Sequence, residues 1–143
     1  MEPDLSTLAK RGAYLANMGS CSDCHTPRNA KFQPIPGMEL AGGVPMTGAA
    51  GGVTSANLTP DDSGIGYYDE ELFIQTIHTG YVRARKLNSV MPWWAFRNMT
   101  DEDLKALFAY LRTLKPVHLQ VDNAESPTQC KLCGHKHGLG DRN

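Results

Sequence analysis

The residues with the clearest chemistry lie in the stretch Cys21-Ser22-Asp23-Cys24-His25. Two cysteines separated by two residues and followed directly by a histidine form the attachment pattern of a c-type haem. The porphyrin's two vinyl groups lie on neighbouring rings, so the thiols that add to them must be about one short helical turn apart. The next residue then falls below the iron, where a neutral imidazole is a good ligand. The stretch predicts one covalent haem c attached to Cys21 and Cys24, with His25 as an axial ligand.

The same cysteine spacing also occurs in other kinds of site. A structural disulfide, a thioredoxin-like redox pair and half of a zinc site are the alternatives for Cys21 and Cys24. The residues further along the chain favour the haem interpretation.

A methionine on the opposite face of the haem makes an electron-transfer site and raises its reduction potential. Among the six methionines, Met91 is the leading candidate because Pro92 follows it, and a proline keeps the preceding residue extended. Met99 and Met46 are the alternatives. His78 is a different kind of alternative, because it would give a bis-histidine site of lower potential. We expect Met91 to be the second ligand and His78 to be an ordinary histidine on a helix surface.

Composition limits the classes of protein to which the chain can belong. Its 143 residues, of which 41% are hydrophobic and 20% charged, are typical of one globular domain. The net charge of −1 provides no basic surface for nucleic acid or for an anionic membrane. No apolar run approaches the length of a membrane span. We therefore expect neither a nucleic-acid partner nor a membrane-spanning segment. A monomer is also expected.

Apolar periodicity predicts three helices. The first runs from Asp4 to about Asn17, with Asp4 or Ser6 as its N-cap. The second is capped by Asp69 and ends at Gly80. The third starts at Thr100, with Asp103 in a variant of the capping box, and is stopped by Pro116. Gly12 lies inside the first helix, where a glycine costs up to about 1 kcal/mol relative to alanine. A close crossing by the third helix would explain this glycine.

Residues 34–66 are rich in glycine and proline, so they predict a long irregular loop. We expect this loop to cover the apolar edge of the haem, with a flexible surface excursion as the alternative. The segment Asn57–Asp62 offers donors for the haem propionates. Other candidates for these contacts are Arg28, Arg83, Arg85, Trp93 and Trp94, although a solvated surface position is favoured for each arginine taken alone. The carbonyl of Pro34 or Pro36 is expected to accept a hydrogen bond from the non-ligating nitrogen of His25. Tyr67 or Tyr68 is expected to stack near the haem.

A second cysteine pair occurs in the polar tail, as Cys130-Lys131-Leu132-Cys133-Gly134-His135. A second haem is disfavoured because Gly134 occupies the position of the ligand histidine. A disulfide, within the pair or to another chain, is the leading interpretation in an oxidising compartment. A metal site that also uses His135 and His137 is the next alternative.

Together these features resemble a class I c-type cytochrome over residues 5–116. The resemblance rests on the N-terminal helix, Cys21–His25, Met91-Pro92 and the helix that ends in Phe108-Ala109-Tyr110-Leu111. Several stretches are closer still to the cytochrome subunits of bacterial membrane-bound alcohol and gluconate dehydrogenases. These stretches are Cys24-His25-Thr26-Pro27, Asn57-Leu58-Thr59-Pro60-Asp61, Gly64-Ile65-Gly66, Met91-Pro92-Trp93 and residues 99–111.

The resemblance implies an all-α class I cytochrome c fold, with helices packed around one haem, and places Met91 at the family's second ligand position. It also implies a cytochrome c domain over residues 1–116. Residues 117–143 would form an irregular C-terminal extension that packs on this domain or trails from it. The dehydrogenase subunits carry several such domains, whereas this chain has one.

The function expected from these features is that of a one-electron carrier that cycles between Fe(III) and Fe(II) and is not itself an enzyme. Its partners would be redox proteins. Covalent attachment of haem in bacteria takes place outside the cytoplasm, so we expect a periplasmic protein whose leader peptide was removed. One alternative is a haem enzyme, peroxidase-like or sulfur-oxidising, with an exchangeable sixth ligand. Another is a docking subunit of a dehydrogenase complex.

Overall fold

The computed structural model describes residues 2–48, 51–121, 123, 128–129 and 136–137. These residues form five helices and three two-stranded antiparallel hairpins. The helices are α1 (Leu8–Met18), α2 (Cys21–His25), α3 (Glu70–Thr79), α4 (Trp93–Phe96) and α5 (Asp101–Leu111). The strands are β1 (Pro45–Gly48), β2 (Gly51–Thr54), β3 (Tyr81–Val82), β4 (Arg85–Lys86), β5 (Thr128–Gln129) and β6 (Lys136–His137).

The start of α1 differs from the prediction. Its N-cap is Thr7, whose side chain accepts a hydrogen bond from the Lys10 N–H. Asp4 instead accepts hydrogen bonds from the Ser6 N–H and from the Lys10 ammonium group. The predicted N-caps, Asp4 and Ser6, are therefore wrong. Both residues precede the helix, and a capping side chain must lie directly before its first turn.

The caps of α3 and α5 are confirmed. Asp69 accepts a hydrogen bond from the Leu72 N–H at 2.8 Å, and Thr100 accepts one from the Asp103 N–H at 3.1 Å. Gly80 ends α3 with φ of 75°, a left-handed conformation that favours glycine. Helix α5 ends at Leu111, so the prediction that Pro116 stops this helix is wrong. The Thr113 N–H donates to the Tyr110 carbonyl at 2.8 Å, and this bond between residues three apart closes the helix with a turn before Pro116 is reached.

The predicted close crossing of α1 and α5 at Gly12 is also confirmed. A Cβ atom on Gly12 would lie 1.9 Å from the Ala106 carbonyl oxygen and 2.7 Å from Tyr110 Cβ. Only a hydrogen atom fits between the two helices there. An ion pair between Arg11 and Asp103 joins the same two helices.

The core lies between α1, α3, α5 and the chain segments that join them. Its buried members are Ala16, Leu40, Ile65, Phe73, Ile77, Leu104, Leu107, Phe108 and Leu111. Helices thus supply most of this core, in agreement with the expected cytochrome architecture.

The hairpins add small β elements to the predicted all-α fold. The β1–β2 hairpin falls within residues 34–66, so the prediction of an irregular loop is wrong for the residues of these two strands. The strands contain Thr47, Val53 and Thr54, whose β-branched side chains favour extended backbone. The abundant glycines around them concealed this short signal.

Residues 117–121 and 123 lie against the loop rather than trailing from the domain. The Asn57 side-chain amide donates to the Val117 carbonyl at 2.8 Å, and Ser63 Oγ accepts from the Leu119 N–H at 2.9 Å. The Asn123 side chain bonds the backbone of Thr54. In the part of the chain that the structure describes, no helix combines the length and apolar character needed to cross a membrane.

Candidate functional site

A cavity of about 290 Å³ opens beside α2. Its wall is mainly apolar and draws on α1, α3, α5 and the segments between them. The apolar wall residues include Leu15, Leu58, Ile65, Phe73, Ile77, Phe96, Leu107 and Leu111. Such a wall suits a large, flat, apolar group that carries only a few polar atoms.

Helix α2 brings the three predicted attachment residues to this cavity. Cys21, Cys24 and His25 all line it. Ser20, with φ of 53°, turns the chain between α1 and α2. Burial raises the pKa of the Cys21 thiol, so this thiol favours its neutral form. Two thiols and one imidazole within a single helical turn have the arrangement that covalent haem attachment needs.

The surroundings of His25 fix the state of its ring. His25 is buried, and its Nδ1 lies 2.7 Å from the Ala56 carbonyl oxygen. A carbonyl can only accept, so Nδ1 carries the proton and donates. Burial lowers the pKa of His25, which keeps the ring neutral. A neutral ring protonated at Nδ1 leaves the lone pair of Nε2 for a metal.

The acceptor for His25 is therefore Ala56, and the expectation of Pro34 or Pro36 is wrong. Pro34 instead forms an isolated β-bridge with Arg28. A backbone carbonyl is present at every residue, so no sequence signal distinguishes the one at Ala56. Only the path of the chain brings it to the ring.

Three methionines line the cavity among those that the structure describes: Met46, Met91 and Met99. Met91 follows a turn in which its N–H donates to the Asn88 carbonyl at 3.0 Å. Met46 lies in β1 opposite Val53. Met18 is exposed, and Met38 is not part of the wall. The structure thus retains the same three candidates that the sequence gave for a second ligand.

His78 lies outside the cavity wall, and both of its ring nitrogens have partners. Nδ1 is 2.8 Å from the Arg97 carbonyl oxygen, and Nε2 is 2.9 Å from Asp101 Oδ1. The hydrogen bond to Asp101, followed by the one to Arg97, raises the pKa of His78. His78 joins α3 to the start of α5 and has no free nitrogen for a metal.

Of the five side chains suggested as partners for the propionates, Arg85 lines the cavity. Arg28 bonds the Phe32 carbonyl and Asp23, and Arg83 lies over the ring of Tyr67. The indole of Trp93 packs on Gly80, and Trp94 is 58% exposed.

The segment Asn57–Asp62 does not present its donors to the cavity. Asn57 and Thr59 bond each other and the Val117 carbonyl. Asp61 accepts hydrogen bonds from Ser63. Leu58 alone of this segment is a wall residue. The segment therefore anchors residues 117–119 rather than a propionate.

The polar atoms of the wall test whether the site fits a haem. Thr54 and Thr76 are buried wall residues, and their hydroxyls have no hydrogen-bond partner among the described residues. Tyr68 also lines the wall and contacts Tyr67, with ring centroids 4.8 Å apart. An apolar wall with a few unpaired donors fits a haem, which is apolar over its faces and carries two carboxylates.

The comparisons with known proteins agree with this geometry. The family model described as cytochrome c matches residues 9–115. The chain belongs to the cytochrome c family. Members of this family transfer electrons through a haem iron, and a cytochrome c domain implies a covalently bound haem c. The resemblance to class I c-type cytochromes is thereby confirmed.

Three curated relatives extend the match. This cytochrome is 38% identical over 72% of its length to the gluconate 2-dehydrogenase cytochrome c subunit of Pantoea cypripedii. It is 38% identical over 82% to the fructose dehydrogenase cytochrome subunit of Gluconobacter japonicus. It is 36% identical over 78% to the cytochrome c subunit of the alcohol dehydrogenase (quinone) of Gluconacetobacter polyoxogenes. The chain spans only 22%, 24% and 23% of these relatives, respectively.

Proposed function

We propose that this protein is a periplasmic one-electron carrier with a single haem c, attached to Cys21 and Cys24 and ligated by His25 and Met91. Bound in the cavity, the haem supplies the Fe(III)/Fe(II) couple. The observation that carries the proposal is that these four side chains line one apolar cavity, in which burial keeps His25 neutral and the Ala56 carbonyl accepts the proton of its Nδ1.

Each part of the chain has a distinct task in this proposal. The Cys21 and Cys24 thiols would hold the porphyrin, and the Ala56 carbonyl fixes the His25 tautomer that leaves the Nε2 lone pair free for the iron. The wall residues of helices α1, α3 and α5 would shield the haem from water. With His25 and Met91 as ligands in both oxidation states, the protein would need little rearrangement on electron transfer.

Met91 is favoured over Met46 by the position of the β1–β2 hairpin. Strand β2 ends at Thr54, two residues before Ala56, whose carbonyl accepts the hydrogen bond from His25 Nδ1. Met46 lies opposite Val53 in this hairpin, so we expect its side chain on the same side of the site as His25. Met91 belongs to the segment between β4 and α4 and precedes a proline. Its side chain therefore reaches the cavity from a turn.

The ligand assignment is tested by the far-red Met–Fe(III) charge-transfer band of the ferric protein. We expect Met91→Ala to abolish this band and to lower the midpoint potential. Met99→Leu and Met46→Leu are the matched controls, because each removes a thioether from the same cavity wall. Loss of the band in either control, with retention in Met91→Ala, would assign the ligand to the other methionine.

The number of haems is read from the intact mass of the purified protein. We expect the mass of one haem beyond that of the polypeptide. A second haem would have to use the pair Cys130 and Cys133. That pair, with His135, lies outside the described residues, so the disulfide and metal interpretations of the tail stay predictions.

A docking module for a dehydrogenase is the second candidate function, favoured by the names of the relatives. The gluconate, fructose and alcohol dehydrogenase subunits contain regions similar to this chain. Reduction of the purified cytochrome by a membrane-bound dehydrogenase, with formation of a stable complex, would support this candidate. Fast reduction without a lasting complex would support the free carrier. An exchangeable sixth ligand, detected as cyanide binding to the ferric protein at low concentration, would instead indicate a haem enzyme.

The docking surface of a free carrier is expected near the exposed apolar side chains beside the cavity. Met18 precedes the wall residue Gly19, and Trp94 lies close in sequence to the wall residue Phe96. With a net charge of −1, electrostatic attraction would contribute little to association. We therefore expect the rate of electron exchange to depend only weakly on ionic strength.

A further inference from the structure

The hydroxyl of Thr54 has the properties of a ligand-binding group. Thr54 is 1% exposed, it lines the cavity, and its Oγ1 has no hydrogen-bond partner within the described residues. Leaving a buried hydroxyl unpaired costs free energy, so an acceptor in the cavity would be strongly favoured. Valine has nearly the same shape and would fill this position without leaving an unpaired hydroxyl.

A residue outside the β1–β2 hairpin, Asn123, binds the backbone of Thr54. Thr54 lies opposite Pro45, which has no N–H to offer. The Asn123 side chain accepts from the Thr54 N–H and donates to the Thr54 carbonyl, each at 2.8 Å. Asn123 also lines the cavity, although it lies beyond the region that matches the family model. The C-terminal extension thus contributes to the wall of the site.

We propose that Thr54 Oγ1 donates a hydrogen bond to a haem propionate, and that Asn123 is a positioning residue that holds Thr54 for this contact. The acceptor is a carboxylate because the haem offers no other strong acceptor once its ring nitrogens bind the iron. This inference rests on the proposed function, since it needs a haem in the cavity. It assigns to residues beyond the cytochrome c domain a role in setting the reduction potential.

The expected effect follows from the charge of the propionate. A donated hydrogen bond disperses the negative charge of a carboxylate and weakens its stabilisation of ferric iron. Thr54→Val removes the donor at almost constant volume, so the ferric form should be favoured. We expect about a threefold change in the ferric–ferrous equilibrium, which is a fall in midpoint potential of about 28 mV at 59 mV per decade.

The variants are compared by redox titration of the haem-loaded protein at constant pH. Thr54→Ser keeps the hydroxyl and is expected to stay close to the wild-type potential. Thr47→Val is the matched control, because it makes the same substitution at an exposed position of the same hairpin. Asn123→Ala should lower the potential by less than Thr54→Val, and the double variant should equal Thr54→Val.

The melting temperature gives a second readout. It changes in opposite directions according to whether the Thr54 hydroxyl is bound to a propionate or unpaired. If the hydroxyl is bound to a propionate, Thr54→Val lowers the melting temperature. If the hydroxyl stays unpaired, the same substitution removes a buried polar group and raises it. Should Thr54→Val fail to mature, Asn123→Ala decides, because Thr54 itself is intact in that variant.

Each outcome has one meaning. A potential of Thr54→Val equal to that of Thr47→Val overturns the propionate contact. If Thr54→Val cannot be matured, a wild-type potential in Asn123→Ala overturns it. Effects of Thr54→Val and Asn123→Ala that add fully in the double variant overturn the positioning role of Asn123. Absorption and mass are recorded first, because wild-type protein that matures without haem contradicts the proposed function itself.

Discussion

Replacing Gly12 by alanine tests the helix crossing on which the cavity depends. In α1 an alanine would normally stabilise the helix by about 1 kcal/mol. Here its Cβ would lie 1.9 Å from the Ala106 carbonyl oxygen, whereas ordinary contacts begin at 3.4 Å. The obstacle is the backbone of α5, which cannot rotate away as a side chain can. The two helices must therefore separate.

The expected change in the free energy of unfolding is the cost of overpacking the crossing less the gain in helix propensity. Overpacking in a close-packed interior costs about 1–3 kcal/mol, and sometimes more. A required separation of about 1.5 Å would also weaken the dispersion contacts along the crossing, because a gap of 0.5–1 Å already loses a quarter to a half of each contact. After subtraction of the gain in helix propensity, we expect Gly12→Ala to lower the free energy of unfolding by about 2–3 kcal/mol. Leu15 and Leu107, from the two helices, line the cavity, so the haem environment should change as well.

Thermal unfolding of the haem-loaded protein, followed by far-ultraviolet circular dichroism, measures this effect. A loss of 1 kcal/mol moves the melting temperature by roughly 2–8 °C for domains of comparable size. Asn17→Ala is the control, because it replaces an exposed residue of α1 by the same alanine without a new neighbour. We expect the control to melt at or slightly above the wild-type temperature. If Gly12→Ala melts at or above the wild-type temperature too, the close crossing and the reasoning from it are wrong.

Three further predictions concern the surroundings of the site. His78→Gln should destabilise the protein by less than about 1 kcal/mol, because the ion pair is partly exposed. Because the pKa of His78 is raised in the folded protein, its stabilisation is fully present below the ordinary value of 6.5 and is lost as pH rises through the folded pKa. Melting of His78→Gln and wild type should accordingly differ more at pH 5.5 than at pH 8.5. Arg85→Gln should lower the midpoint potential more than Arg83→Gln, because only Arg85 of the two lines the cavity; equal shifts would contradict this. Asn57→Ala should cost about 2–4 kcal/mol, since the buried side chain bonds the Val117 carbonyl and its own loop. Faster proteolysis near residues 117–121 should accompany the loss, and unchanged cleavage would argue against the anchoring role.

Local features of the chain could be predicted because they need only neighbouring residues. The stretch Cys21–His25 places two thiols and an imidazole within about one helical turn, so its spacing alone indicates haem attachment. The caps at Asp69 and Thr100 depend on bonds to residues three positions away. Gly12 was informative for a related reason, since a glycine inside a helix signals a close neighbour even when that neighbour is unknown.

Errors arose where a local signal was weak or ambiguous. Several polar residues precede α1, and only the geometry of the first turn selects Thr7 as its cap. The short strands β1 and β2 are separated and flanked by glycines, which concealed their preference for extended backbone. The donors of Asn57–Asp62 were expected to bond the haem propionates, but Asn57 and Thr59 bond the extension instead.

The sequence by itself determined the cofactor chemistry, the helical framework and a short set of candidate ligands. The tertiary structure decided which groups meet around the cavity. The Ala56 carbonyl is 31 positions from His25, and Asn123 is 69 positions from Thr54. A backbone acceptor has no side-chain signature, and an asparagine far along the chain gives no indication of its partner. Such contacts exist only once the chain has folded, because packing of the helices sets the distances between segments that are remote in sequence.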